Sequence, residues 1–170
     1  NNSGGLVGSW SLGSIGWFSA NIQGIATNGT DVWVVDAYSA KVYKYTNAAS
    51  RTTGSQNAAS SFKLNSGNKN AKDIVTDGTH LYVVNDSTTD KVFKCSLAGS
   101  LVASWTISTA GVSSPTGITL DPSNPSHLWI VDNGTDCVYE YANSRSRNSG
   151  SLTASVTFAL SAGNTNPQGI

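Results

Sequence analysis

His80 and His127 are the only imidazoles in the chain, and a side chain that titrates near neutrality suits proton transfer or metal binding. Each stands just before an apolar run, His80-Leu81-Tyr82-Val83-Val84 and His127-Leu128-Trp129-Ile130-Val131, where an earlier similar run carries Asp31. Residues at one place in successive repeats lie apart, so the two histidines are expected as polar turn residues, not as ligands of one shared metal. Asp36, Asn85 and Asp132 close the same three runs. A ring of carboxylates could hold calcium or a cationic ligand, but Asp and Asn at the start of a turn also hydrogen-bond the backbone two residues on, and their recurrence favours that turn role. Asp86 and Asp90 are the densest acidic pair, at a spacing that does not match an EF-hand loop.

Two cysteines, Cys95 and Cys137, fall at opposite ends of equivalent runs, Lys91-Val92-Phe93-Lys94-Cys95 and Cys137-Val138-Tyr139-Glu140-Tyr141. Four strand positions at about 3.3 Å each separate them, well beyond the reach of a disulfide, so two free thiols are expected. Asn28-Gly29-Thr30, Asn85-Asp86-Ser87 and Asn133-Gly134-Thr135 fit the N-glycosylation pattern, as chance alone produces in a chain so rich in Asn, Ser and Thr. The sequence shows no Gly-rich phosphate loop, nucleophile elbow, Cys/His cluster or Ser/His/Asp set. No catalytic residue, metal ligand or cofactor is expected.

These residues sit in a sentence written three times. Gly24-Ile25 leads through Asn28-Gly29 to Val32-Trp33-Val34-Val35-Asp36; Asp73-Ile74 leads through Asp77-Gly78 to Leu81-Tyr82-Val83-Val84-Asn85; Gly117-Ile118 leads to Leu128-Trp129-Ile130-Val131-Asp132. β-branched and aromatic residues between Asx-Gly turns specify short strands and tight hairpins. The spacings between Ile25, Ile74, Ile118 and Ile170 are 49, 44 and 52 residues. Four strands per period of that size mean an all-β chain of four-stranded antiparallel β-propeller blades.

The expected division is an outer strand d of a preceding blade at 6–12, blade 1 at 23–65, blade 2 at 72–108, blade 3 at 116–160 and the start of a further inner strand a at 167–170. Outer strands are expected at Ser60 to Leu64, Leu101 to Ile107 and Leu152 to Phe158, the last because Gly150-Ser151-Leu152 echoes Gly99-Ser100-Leu101. The loops Thr46 to Ala59 and Ala142 to Gly150 read as low-complexity slack. Trp33, Tyr82 and Trp129, with Tyr43, Phe93 and Tyr139, are expected between blades.

The order Pro-x-Gly-Ile, Asx-Gly turn, Val-Val-Asp strand and Lys-Val-Tyr resembles NHL-type β-propeller repeats over essentially the whole chain. That resemblance implies a propeller, in a family of extracellular sensors, scaffolds, carbohydrate or protein binders and a few lyases that use histidines and a metal at the channel mouth.

Composition narrows the partners. Ten basic and ten acidic residues leave no net charge, so no long-range field gathers nucleic acid. No apolar run approaches the roughly 18 residues of a membrane-spanning helix, so membrane insertion is not expected. A charged fraction of only 12%, with polarity carried by Ser, Thr, Asn and Gly, leans towards an extracellular or cell-surface protein. With no Met, and with strands b and c missing from the blade that its two ends would have to close, the chain reads as a stretch of a longer protein, about half of a ring of six to eight blades. The remainder of the parent chain, or further subunits, is expected to complete the ring.

In a propeller the loops entering each inner strand meet at the mouth of the central channel. Gln23, Lys72, Thr116 and Gln168 occupy that place here, and differ in kind at a position the fold fixes. Trp17 and Phe18, in the first such loop, have no counterparts in the other copies. These six are the candidate ligand-binding residues of a non-catalytic module that takes a protein or glycan. A propeller lyase or other metal-dependent enzyme, and an assembly unit of a surface layer or filament, are the alternatives.

Overall fold

The computed structural model describes residues 4–16 and 19–170, so the candidates Trp17 and Phe18 lie outside the described residues. Chain order runs β1 (Ser11–Leu12), β2 (Ile22–Thr27), β3 (Val32–Asp36), β4 (Lys41–Tyr45), β5 (Ser55–Gln56), β6 (Ser60–Lys63), β7 (Ala71–Thr76) and β8 (His80–Asn85). It continues through β9 (Lys91–Ser96), β10 (Leu101–Ile107), β11 (Pro115–Leu120), β12 (Leu128–Asp132), β13 (Cys137–Tyr141), β14 (Ser151–Leu152) and β15 (Val156–Ala159), with one 3-10 turn at Ser144–Ser146.

The repeats fold as three antiparallel four-stranded blades, β2-β3-β4-β6, β7-β8-β9-β10 and β11-β12-β13-β15, with the extra strand β14 added to the outer edge of the second. Each Asx-Gly turn of blades 1 and 2 has a left-handed glycine, Gly29 at φ 87° and Gly78 at φ 84°, but Asn28 and Asp77 are not left-handed as the expected two-residue turn requires. Their side chains instead accept backbone N–H groups two and three residues on. The inner strands β2, β7 and β11 stand side by side in that order.

Two-residue alternation sends each blade's side chains to its two neighbours. Trp33, Val35, Val42 and Leu64 of blade 1 meet Ile74, Leu81 and Val83 of blade 2. Tyr82, Val84, Val92, Trp105 and Ile107 of blade 2 meet Ile118, Leu128, Ile130, Tyr139 and Tyr141 of blade 3. The other face of blade 1, with Val32, Val34, Tyr43 and Tyr45, is covered by Trp10, Leu12 and Ile15. On the far face of blade 3, Trp129 is half-buried and touches Phe158, while Val156 and Phe158 stay 47% and 49% exposed.

From Trp10 to Leu12 the N-terminal segment repeats the end of the outer strand of blade 2, Trp105 to Ile107. Trp10 packs edge-on against Tyr45 at 5.4 Å as Trp105 packs on Tyr141 at 5.1 Å. β1 pairs in parallel with β5, as the end of β10 pairs with β14. The strand proper is shorter than the expected 6–12, because Leu6 and Val7, both exposed, have no partner strand.

Blade 3 corrects the sequence reading. Ser151-Leu152 is not the start of the outer strand but β14, a strap laid along β10 of blade 2, and the outer strand begins at Val156. Gly150-Ser151 therefore corresponds to Gly54-Ser55, not to Gly99-Ser100. The long loops are likewise not slack: each carries a parallel strap to the preceding outer strand and buries a small side chain, Ala48 or Ser144.

Both cysteines are free, Cys95 buried and Cys137 partly exposed. Burial pushes the Cys95 thiol up to about 11. A maleimide will label Cys137 well before Cys95 in the folded chain, as peptide mapping of a time course will show; equal rates would contradict the packing of blade 2.

Candidate functional site

Each inner strand enters its blade through the same irregularity. Register slips by one residue between Ile22 and Gly24, between Ala71 and Asp73, and between Pro115 and Gly117. The unpaired residues are Gln23, Lys72 and Thr116. A β-bulge frees one residue from the ladder and re-aims its side chain, so three of the sequence candidates are the bulge residues themselves.

They do not all end at one site. Gln23 and Gln168 line a cavity of about 430 Å³ between the inner strands, together with Thr27, Thr76, Thr119 and Asp73. Each glutamine is held alike: Gln23 Nε2 donates to Asn21 Oδ1 at 2.5 Å, and Gln168 Nε2 donates to Asn166 Oδ1 at 2.5 Å. Each Oε1 keeps its accepting capacity, with no partner among the described residues. Lys72 instead turns to Asp86, 3.4 Å away, within its own blade. Thr116 is buried and donates to the Pro167 carbonyl at 2.7 Å, fastening the last residues to blade 3. Ile25, Ile74 and Ile118 supply the apolar part of the cavity wall.

Asp73 belongs to this wall and stands where blades 1 and 3 have Gly24 and Gly117. Its carboxylate accepts the Ile74 N–H at 2.8 Å and, across the blade junction, the Ile118 N–H at 2.9 Å. Burial outweighs those two hydrogen bonds and raises its pKa to about 6. The Gly-Ile pattern hid it; the departure from glycine in one copy was the available signal.

At the mouth, Asp36, Asn85 and Asp132 act as turn residues, all nearly inaccessible. Asp132 Oδ1 accepts Thr135 N–H while its Oδ2 accepts Ser113 and Ser114 N–H, so one carboxylate ties the entering loop to the hairpin. Asp36 does the same with Asn21, Tyr38 and Ser39; burial raises its pKa, but the Ser39 hydroxyl and the three N–H donors hold it below the usual value. Asp90 accepts Ser87 N–H at 2.9 Å and Asp86 faces Lys72, an arrangement of turn and ion pair. Of the glycosylation patterns, Asn85 is 0% exposed, with both amide atoms bonded to backbone, which closes it to a transferase; Asn28 is exposed on its turn.

The opposite ends of the blades carry the histidines. Asp77 accepts the Tyr82 hydroxyl at 2.9 Å and Arg145 Nη2 at 2.5 Å, with Arg145 reaching over from the 3-10 turn of blade 3. Burial would raise the Asp77 pKa, but hydrogen bonds from Thr79 and Arg145 hold it far below the ordinary range. Lys94 donates to the Arg145 carbonyl at 3.0 Å, and His80 lies beside them in an open groove of about 450 Å³. This cluster clamps blade 3 to blade 2. His127 meets Glu140 through Nδ1 and lies near Asp121. The two histidines do not share a site. Copy-by-copy comparison could have singled out Glu140, which replaces Lys44 and Lys94; Arg145, in an apparently slack loop, carried no such mark.

No family model matches the chain, and no curated protein matches it in sequence. Solved structures match its fold. Hydrazine synthase from Kuenenia stuttgartiensis aligns over 92% of this chain and 40% of its own, at a TM-score of 0.60 and 12% identity. Glutaminyl cyclase from Myxococcus xanthus aligns over 81% of this chain and 54% of its own, with a TM-score of 0.57 and 8% identity. Virginiamycin B lyase from Staphylococcus aureus aligns over 83% and 42%, with a TM-score of 0.52 and 13% identity. The chain thus spans 40% to 54% of these three structures. At such identities the likeness concerns fold alone: the blades are propeller-like.

Proposed function

We propose that the chain is part of a ligand-binding β-propeller of the NHL type, non-catalytic and displayed outside the cell or on its surface, which takes a glycan or a protein loop at the channel mouth. The observation that carries this reading is the pair Gln23 and Gln168. Two amides, each fixed by an Asn two residues earlier, line one cavity together with Asp73 and Thr119, while the Thr27 and Thr76 hydroxyls on its wall are held in their own turns. Fixed amides beside the exposed Ile25 suit a neutral, hydroxyl-rich ligand, and the zero net charge and low charged fraction support the same reading. Glycan-array screening of the chain, followed by titration calorimetry on the best neutral oligosaccharide, tests it. Gln23→Ala with Gln168→Ala should lower affinity by about 30-fold, at about 1 kcal/mol per hydrogen bond. Lys72→Ala should change it little, since that side chain is engaged with Asp86. Undiminished binding by the double variant would overturn the site.

Further blades of the parent chain, or a second subunit, are proposed to pack on blade 3. The support is positional: Trp33 and Tyr82 are buried by the next blade, whereas Trp129 at the equivalent position is only half-buried beside the exposed Val156 and Phe158.

A further inference from the structure

We propose that Asp121, His127 and Glu140 of blade 3 form a binding site for a divalent metal of the zinc class. One donor atom from each residue lies within 4.8 Å of the others. A tetrahedral zinc with bonds of about 2.0–2.2 Å needs donors roughly 3.3 Å apart, so side-chain rotations of about an ångström assemble it without moving the backbone.

The three residues stand on rigid elements. Glu140 lies in β13 opposite Trp129 of β12; His127 immediately precedes β12, and Asp121 immediately follows β11. Asp121 Oδ1 accepts the N–H groups of Ser123 and Asn124, which orients the carboxylate and leaves Oδ2 for a metal. Asn124 Nδ2 donates to His127 Nε2 at 3.0 Å; metal binding through Nδ1 places the ring proton on Nε2, so the Asn124 side chain must turn to offer Oδ1 instead. The imidazole and Glu140 side chains are 17% and 13% exposed, so little water competes.

Comparison of the blades separates this cluster from an ordinary ion pair. Blade 1 carries Asp31 with Lys44, 2.8 Å apart. Blade 2 carries His80 with Lys94, whose ammonium would repel a cation. Blade 3 alone replaces the lysine with a carboxylate; its Asp121 stands where blade 2 has Asp77, but Asp77 is already paired with Arg145 and the Tyr82 hydroxyl. One imidazole with two carboxylates is a donor set for zinc and its neighbours more than for calcium or magnesium, which prefer oxygen alone. Three protein ligands leave a fourth position for water. The inner strand β11 separates this site from the channel mouth, so it is distinct from the glutamine site.

Competition against a chromophoric chelator, using Zn²⁺ and the full chain, should show one ion per chain with micromolar or tighter affinity. Co²⁺ in its place should give visible d–d bands. His127→Gln and Glu140→Lys should each weaken Zn²⁺ binding by about 100-fold or more. Asp121→Asn, which keeps the turn's acceptor and so its fold, should weaken it by at least about 10-fold. His80→Gln should leave it unchanged. Circular dichroism melting of each variant confirms folding. Wild-type chain that binds no Zn²⁺ at a micromolar concentration, or a folded His127→Gln chain that binds it undiminished, would overturn the proposal.

Discussion

Gly24→Val will destabilise the chain by about 3 kcal/mol, enough to shift a urea midpoint by about 1 M or more. The cause is the closeness of two inner strands. A Cβ added at Gly24 would lie 2.2 Å from Asp73 Oδ1, 2.8 Å from Asp73 Cα and 2.9 Å from Ile74 N. A carboxylate can rotate away, but the two backbone atoms cannot without parting β2 from β7. That separation would open the layer in which Trp33 and Val35 meet Ile74 and Leu81, and lost contacts across a close-packed core are not recovered by small shifts. Gly163→Ala is the control, because a Cβ there meets nothing within 4 Å. A Gly24→Val chain with an unchanged midpoint would show that the inner strands do not abut.

The same glycine shows why so much of this fold is legible in the sequence. Strand existence, order and blade membership follow from alternation and Asx-Gly turns, which act locally and recur. The Gly of Gly-Ile in blades 1 and 3 has a longer-range reason, the approach of the next inner strand, and the repeat makes even that visible, as it does the one departure at Asp73. Ser151-Leu152 misled because Gly-Ser-Leu is compatible with both an outer strand and a strap. Only the pairing partner, Ile107 of the preceding blade, decides between them, and local sequence does not specify it. Gln23, Lys72 and Thr116 share one bulge position, but what each does depends on neighbours: Lys72 meets Asp86 and Thr116 meets Pro167, leaving Gln23 with Gln168 on the cavity wall. Arg145 was invisible because its partner Asp77 belongs to another blade, 68 residues away.

Asp73 leads to the second large effect, a rise in stability as pH falls from about 7 to about 4. In the unfolded chain its carboxyl titrates near 3.9; in the folded chain burial raises the value to about 6. Below about 4 the group is protonated in both states and contributes nothing. Above about 6 it is ionised in both, and the folded state bears the cost of a partly buried carboxylate, at most about 3 kcal/mol for a shift of about two pKa units. Asp90, raised mainly by burial, adds in the same direction. Asp31, Asp36 and Asp77 are lowered in the folded chain; their stabilisation is full above about 4 and fades only as pH falls through their folded values, so they leave the window between 4 and 6 to Asp73. Urea titrations at intervals from pH 4 to 8 should show the slope, and Asp73→Gly, the residue of blades 1 and 3, should remove most of it. A variant that keeps the wild-type slope would assign the effect elsewhere. Because Asp73 lines the same cavity as Gln23 and Gln168, a ligand hydroxyl that donates to it would be bound more tightly once the group ionises, so the affinity of the mouth should rise with pH over the interval in which the fold loses stability.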